Sequence, residues 1–354
     1  MNPIKCIFVG DLALGDHPKS VGFGFYSKYR CGISPDKAQS LFPVDYDPDL
    51  LFGNLEFTLG NAALTGKSHD ELNCRGIAQY ADFLQQAGFN VVNIANNHIY
   101  QHGIDEFADT LQILMSKGIG VVGLKDDDCR SNVVRVEDQF VCVLGWSARP
   151  RQGFSDAPPY REFDEKSCYK EIFEAKKKYY YVCVSIHWGE EFVEIPSDDE
   201  KRIAHEMIDM GANVVIGHHP HVIREVEEYN GGLIAYSLGN FICDMTWSEK
   251  TRKTCYLYVE FANHGILKWE VVHGRIDDSY FPEFITPILD PIGDFKELYT
   301  RLETSSYDHL ARRALFHHQV MTLLHIFRNC WKYKLGVWWS MFGGAIKSRL
   351  SVKH

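Results

Sequence analysis

No run of 18 or more apolar residues occurs anywhere in the 354 positions, so the sequence offers no candidate membrane-spanning helix. The amino terminus has no basic start, no apolar leader core and no small-residue cleavage site, and a cytoplasmic chain is the expectation. None of the ten cysteines forms a C-x-x-C pair. Several, such as Cys6, Cys142, Cys183 and Cys255, fall inside apolar strand patterns, which argues for buried free thiols in a reducing compartment. Internal repeats and low-complexity tracts are missing too, and with 45% hydrophobic residues the chain can bury a full core. A net charge of −10 argues against a nucleic-acid partner. One further deficit is local. From His309 to His354 there is no Asp or Glu but eight Lys or Arg, which leaves 29 basic against 47 acidic residues in the first 308 positions.

What is present is a set of apolar runs that each stop at a polar, ligand-type residue. Ala212 to Ile216 leads into Gly217-His218-His219-Pro220-His221, three imidazoles in four positions, with Pro220 restricting the backbone between two of them. A histidine-rich surface loop would share this composition, but three other segments have the same form. Lys5 to Val9 ends in Gly10-Asp11, Asn90 to Ala95 ends in Asn96-Asn97-His98, and Tyr181 to Ile186 ends in His187-Trp188-Gly189-Glu190-Glu191. In α/β proteins the carboxyl ends of buried strands are where chemistry is placed. Four such ends finishing in Asp, Asn or His predict one convergent site. Carboxylate, amide oxygen and imidazole without thiolate suit Mn, Fe(II) or Zn, as one ion or as two sharing a water. Glu190 and Glu191 are placed to orient a liganding imidazole, and Trp188 reads as packing rather than sugar stacking.

Together with Gly53-Asn54-Leu55-Glu56 and Tyr236-Ser237-Leu238-Gly239-Asn240-Phe241, these motifs make the chain resemble the CapA family of poly-γ-glutamate capsule synthesis proteins, a branch of the calcineurin-like metallophosphoesterase superfamily. The resemblance runs from residue 10 to residue 241. It implies that Asp11 and His221 serve a first metal, that Asn97, His187 and His219 serve a second, and that His98 protonates the leaving oxygen or binds the substrate phosphate. Catalytic roles thus fall to His98 and Asp11. Two positions depart from the superfamily pattern: Ala13 stands where a His ligand is expected, and Asn54 where a bridging carboxylate is expected, with Glu56 as its substitute ligand. Asn54, Asn96, Glu191, His218 and Asn240 are implied as outer-sphere or substrate-contacting groups.

The order of elements predicts an α/β sandwich, and the resemblance implies its specific form, a four-layer αββα metallophosphoesterase-like sandwich of two mixed sheets flanked by helices, with a C-terminal helical tail. The expected division is a domain over 1–290 and a tail over 291–354. Helices are expected over Gly76 to Ala87, over Gly103 to Lys117 with Ile104, Phe107, Ala108, Leu111 and Leu114 on the buried face, over Phe163 to Lys178, and over Ser197 to Met210. Asp11 to Pro48 reads as a long loop over the strand-end face. Arg149, Arg151 and Arg161 read as a solvated loop or as contacts for an anionic substrate.

The tail mixes cations with Leu323, Leu324, Phe327, Trp331, Trp338 and Trp339. Two readings stay open, a helix lying in a membrane interface and a helix packed back on the acidic body. The implied function is that of a metal-dependent hydrolase acting on an anionic polymer or phosphorylated glycan intermediate of the cell envelope. A γ-glutamyl amide is a further target that the ligand set permits. The alternative is a non-catalytic metal-binding accessory protein of a polymer-synthesis complex at the inner face of the membrane.

Overall fold

The computed structural model describes residues 2–43, 47–61, 64, 68–125, 133–136, 139–151, 154, 156–284, 306–334 and 336–337. In chain order the first elements are β1 (Ile4–Leu12), α1 (Phe25–Tyr29), α2 (Pro35–Gln39), β2 (Leu50–Leu55), β3 (Thr58–Gly60), α3 (His69–Leu72), β4 (Arg75–Ile77), α4 (Tyr80–Gln86) and β5 (Val91–Asn93). Next come α5 (Gly103–Ser116), β6 (Gly120–Val122), β7 (Val133–Val136), β8 (Gln139–Ser147), α6 (Glu165–Lys176), β9 (Tyr181–His187), α7 (Asp198–Asp209) and β10 (Val214–His218). The remainder is β11 (Val226–Tyr229), β12 (Gly232–Ala235), β13 (Asn240–Ile242), α8 (Glu249–Arg252), β14 (Lys253–Ala262), β15 (Gly265–Ile276), β16 (Pro282–Phe284) and α9 (Tyr307–Arg328).

Alternation of side chains along the central strands decides the layering. In β1, Ile4, Cys6 and Phe8 enter one core while Ile7 and Val9 enter another. In β9, Tyr181 and Cys183 join the first of these, and Val182, Val184 and Ile186 enter a third. Strands buried on both faces read as unbroken apolar runs, which is why these segments stand out in the sequence. The middle core lies between two mixed sheets. One has the order β16-β15-β14-β1-β2-β5-β6 with β13 beside β1, and the other has the order β11-β12-β10-β9-β8-β7. Helices α1, α2, α4 and α5 cover the outside of the first sheet, and α6 and α7 cover the second. The expected four-layer αββα arrangement is therefore the observed one. Gly10 lets β13 come close to β1, since a Cβ there would sit 1.9 Å from the Gly239 carbonyl oxygen.

Several local expectations are corrected. The helix expected from Gly76 begins only at Tyr80, because Arg75–Ile77 pair in parallel with Thr58–Gly60, and a Cβ at Gly76 would lie 2.4 Å from the Leu14 carbonyl oxygen. Helix α5 buries Phe107, Thr110, Ile113 and Leu114 with Glu106, whose carboxylate pairs with Arg75; Ile104 and Ala108 face solvent. The span from Asp11 is no open loop: Val21, Phe25 and Tyr26 from it fill the first outer core. Arg151 pairs with Glu162, buried Arg161 pairs with Glu171, and Arg149 bonds the Gly189 carbonyl and Glu190, so these three guanidiniums serve the fold.

The boundary expected at residues 290 and 291 lies outside the described residues, as do Trp338, Trp339 and the rest of the extreme tail. Within them α9 packs one face back on the body, and no described helix is long and apolar enough to cross a membrane. All nine cysteines among the described residues are free, seven buried and Cys31 and Cys330 exposed.

Helix α7 opens with a capping box in which Ser197 Oγ accepts from the Glu200 amide at 3.2 Å and Glu200 accepts from the Ser197 amide at 2.7 Å. Removing the hydroxyl in Ser197→Ala is expected to lower stability by about 1 kcal/mol. Urea unfolding followed by circular dichroism checks this, with an unchanged slope.

Candidate metal centre

Strand register assembles the site. In the first sheet Asn240, Asp11, Asn54 and Asn93 stand side by side across β13, β1, β2 and β5. In the second sheet Ser147, His187 and His218 do the same across β8, β9 and β10. Apart from Asn240, which opens β13, both rows lie at or near the carboxyl ends of parallel strands, and the loops after β2 and β10 add Glu56, His219 and His221 between them. A Cβ at Gly217 would meet the Tyr236 carbonyl at 2.1 Å, so only glycine fits before the histidines. His219 and His221 both have positive φ, 94° and 57°, on either side of Pro220. Non-glycine residues adopt this backbone at a cost of about 1–3 kcal/mol each, which other contacts at the site must offset.

Asp11 and Glu56 are fully buried. Asp11 Oδ1 accepts from Asn54 Nδ2 at 2.8 Å and lies 3.5 Å from His218 Nδ1, and Oδ2 lies 3.3 Å from the His219 amide and 3.5 Å from His221 Nδ1. Neither oxygen of Glu56 has a hydrogen-bond partner. Its Oε1 instead faces Nε2 of His187, His221 and His98 at 3.7, 3.8 and 3.9 Å. Both ring nitrogens of His219 lack a partner as well. Leaving a charged carboxylate without a donor in a buried site costs several kcal/mol, a cost that a bound proton, the neighbouring His221 imidazolium or a metal ion would each remove. The donor atoms have the proximity to hold a metal ion: Glu56 with His187 and His219, Asp11 with Glu56 and His221, and Glu191 with His219 and His221 each lie within 4.8 Å of one another.

Neighbours aim these ligands. Asn240 Oδ1 lies 2.9 Å from His221 Nδ1, which leaves Nε2 turned toward Glu56. Asn54 sends its amide nitrogen to Asp11 and, at 3.3 Å, toward His187 Nδ1, while its oxygen accepts from Asn93 at 3.0 Å. It supports the carboxylate in place of supplying one. Asn97 Oδ1 lies 2.7 Å from His187 Nε2, and Asn96 holds the following turn through the amides of His98 and Ile99. Glu191 is half-buried at the rim. The residues expected as ligands, Asp11, Glu56, Asn97, His187, His219 and His221, thus gather at one end of the sandwich. Ala13, at the position of the expected histidine, packs with Phe57, Cys74, Cys243 and Met245 in a small apolar cluster.

Some contributors had no signal in the sequence. Arg224, buried completely, bonds the carbonyls of Val193 at 2.7 Å and Glu190 at 3.0 Å and pairs with Glu200. It thereby fixes the loop that carries Glu191. Asn93 was visible only as a polar interruption of an apolar run. Helix α9 contributes His318, whose ring stacks on Phe192 with centroids 3.5 Å apart, to the wall of a cavity of about 590 Å³ that opens onto Glu56, His98, Glu191 and His221.

Burial dominates the electrostatics. It pushes the Glu56 carboxyl up to about 8, against the pull of His221 and with further push from Asp11 and Glu191. For His221 burial acts downward, but the carboxylates of Glu56 and Asp11 outweigh it and hold the imidazolium up to about 10. Burial acts upward on Asp11, yet the His218 and His221 contacts hold it well below the usual carboxylate range. His98 is held down to about 4 by burial, and His187 and His219 are also lowered by it, so these rings are neutral; His219 has both nitrogens unengaged, while His187 Nε2 meets Asn97 Oδ1.

The family described as bacterial capsule synthesis protein PGA_cap matches residues 5–245. The chain is 29% identical over 279 residues to the PGA biosynthesis protein CapA of Bacillus subtilis, covering 76% of this chain and 70% of that protein. It is 28% identical over 302 residues to the capsule biosynthesis protein CapA of Bacillus anthracis, covering 82% and 71%. Over 173 residues it is 28% identical to a "Probable polyglutamine synthesis accessory protein" of Mycobacterium tuberculosis, covering 44% and 45%.

The metal-free protein keeps a proton on Glu56 up to about pH 8 and on His221 up to about 10, and a divalent ion must displace both. Between pH 8 and pH 6 each displaced proton weakens binding up to about tenfold per pH unit. The rise in Tm on adding Mn is therefore expected to shrink as pH falls through this window, measured by calorimetry with and without the ion. A rise independent of pH would remove Glu56 and His221 from the ligand set.

Proposed function

The chain belongs to the PGA_cap family of bacterial capsule synthesis proteins, and from that premise we propose that it is a metal-dependent hydrolase of a phosphorylated or polyanionic intermediate in capsule or poly-γ-glutamate synthesis. The observation that carries this reading is the Glu56 carboxylate, buried, without a hydrogen-bond donor, and ringed by three imidazole nitrogens at 3.7–3.9 Å. Such a group is stable as an anion only beside a cation. Asp11, Glu56, Asn97, His187, His219 and His221 would hold the ion, and the mixture of carboxylate, amide oxygen and imidazole suits Mn, Fe or Zn. A bound divalent ion supplies Lewis acidity and a water whose pKa falls toward about 7.

The protein's own groups supply the rest. His98 stands in the cavity wall with Nδ1 2.9 Å from Gln101 Oε1, which orients the ring and leaves Nε2 toward the centre. Burial keeps this ring neutral, and with its Nδ1–H given to Gln101 the Nε2 atom is an acceptor. A bound polyanion would raise the proton affinity of Nε2; the imidazolium formed by uptake of a solvent proton would then donate that proton to the leaving oxygen as a general acid and return to the neutral ring. Lys19 at the cavity edge offers a positive charge to an anionic substrate. His218, wedged at 3.5 Å from Asp11, steadies that carboxylate.

A second reading rests on the apolar cluster around Ala13. It removes one expected ligand, which favours a single ion and an accessory protein that binds an anionic polymer without cleaving it.

Metal analysis with a panel of phosphate esters and γ-glutamyl amides separates the two. The wild type is expected to retain a transition metal and turn over a panel substrate. His219→Ala should lose most of the metal and the activity together, and His98→Ala should keep the metal while kcat falls about 10²–10⁴-fold. A metal-loaded wild type inert toward the whole panel would leave the accessory reading standing. A protein that takes up no Mn, Fe or Zn would end both.

A further inference from the structure

Helix α9 carries apolar groups on both of its sides, with Arg312, Arg313, His317 and Arg328 exposed among them. Its inner side packs on the body: Ala314 against the cluster around Ala13, His325 beside Trp247 with centroids 4.5 Å apart, and Ile326 on the first outer core. Tyr333 just beyond it donates to the Lys19 carbonyl at 2.6 Å. The opposite side, turned to solvent, carries Phe316, Val320, Leu323, Leu324 and Phe327 with exposures of 67, 39, 66, 43 and 79%, and Trp331 follows at 77%. A helix apolar on both sides has a partner on both sides. An exposed stripe of this size on one element marks an interaction surface.

We propose that this outward face docks on an anionic lipid bilayer. Charge selects that occupant. Arg312 and Arg313 flank one end of the stripe and Arg328, Lys332 and Lys334 the other, while Asp308 is the sole acidic residue from 306 to 334. A second copy presenting the same face would set these cations against like cations, whereas a bilayer containing anionic lipid accepts both the cations and the apolar rings. Trp331 at the end of the stripe has the amphipathic shape that settles at headgroup depth. The acidic body, with 29 basic against 47 acidic residues before position 309, is repelled by the same surface, so only this side approaches it. Because α9 also lines the cavity through His318, Gln319 and Thr322, docking brings the mouth of the metal centre to the lipid surface. Docking through the outer face and its flanking cations does not depend on hydrolysis.

Flotation of the full chain with vesicles tests it. With about 30 mol% phosphatidylglycerol in phosphatidylcholine the protein is expected to float, with pure phosphatidylcholine much less, and about 0.5 M salt should weaken the binding. The triple variant Phe316→Ser, Phe327→Ser, Trp331→Ser removes only exposed groups and should bind at least tenfold more weakly with unchanged circular dichroism and metal content. His219→Ala should float like the wild type. A wild type that stays at the bottom of the gradient, or a triple variant that floats as well, overturns the proposal. So does light scattering that shows a dimer which the triple variant dissolves, since the face would then be covered by a second copy.

Discussion

The constraint on which the structure depends is the placement of two fully buried carboxylates, Asp11 and Glu56, at the floor of the cavity that Glu56 lines. Neither can stay charged there without compensation. Asp11 finds it in an amide, a backbone N–H and two nearby imidazoles; Glu56 finds imidazole edges at distances too long for hydrogen bonds. The remaining architecture serves this demand. Two sheets are stacked so that the carboxyl ends of their parallel strands share one rim, and each sheet delivers one row of polar side chains to it. The positive φ values of His219 and His221 are the local cost of turning both rings into the same space.

The departures at positions 13 and 54 are compensated in different ways. Asn54 replaces an expected carboxylate with a donor, and a donor is what Asp11 lacks, so the substitution stabilises one acid while Glu56, two residues on, supplies the other. Ala13 is not replaced in function by any neighbour. Its surroundings, Phe57, Cys74, Cys243 and Met245, make the cavity wall apolar on that side. The centre is rich in imidazole toward β9 and β10, and on the side of the loop after β1 the cavity wall carries His17 beside these apolar groups.

Much of this was legible beforehand because buried parallel strands write themselves as uninterrupted apolar runs, and a polar residue at the end of such a run has few reasons to be there. Asp11, Asn97, His98, His187, His219 and His221 were visible on that ground, and the layer order followed from alternating strands and helices. Arg224 was not visible, since a lone arginine after Val222-Ile223 carries no periodic signal, and its partners, the carbonyls of Glu190 and Val193, come from 34 and 31 positions away. The start of α4 was misplaced because Gly76 and Ile77 fit a helical pattern, while pairing with β3 outweighs that weak preference. The buried face of α5 shifted for a similar reason: Glu106 is drawn inward by Arg75 of a neighbouring strand.

Read by itself, the chain determined its fold class, the elements that carry ligands and the kind of donor atom each one offers, since these follow from hydrophobic period and side-chain chemistry along a few residues at a time. Only the tertiary structure decided which donors face one another, which of Asn54 and Glu56 confronts the imidazoles, and that α9 closes over the cavity with a second apolar side left outward. Those outcomes depend on strand register and on packing between segments hundreds of residues apart, and distances of that kind have no trace in local sequence.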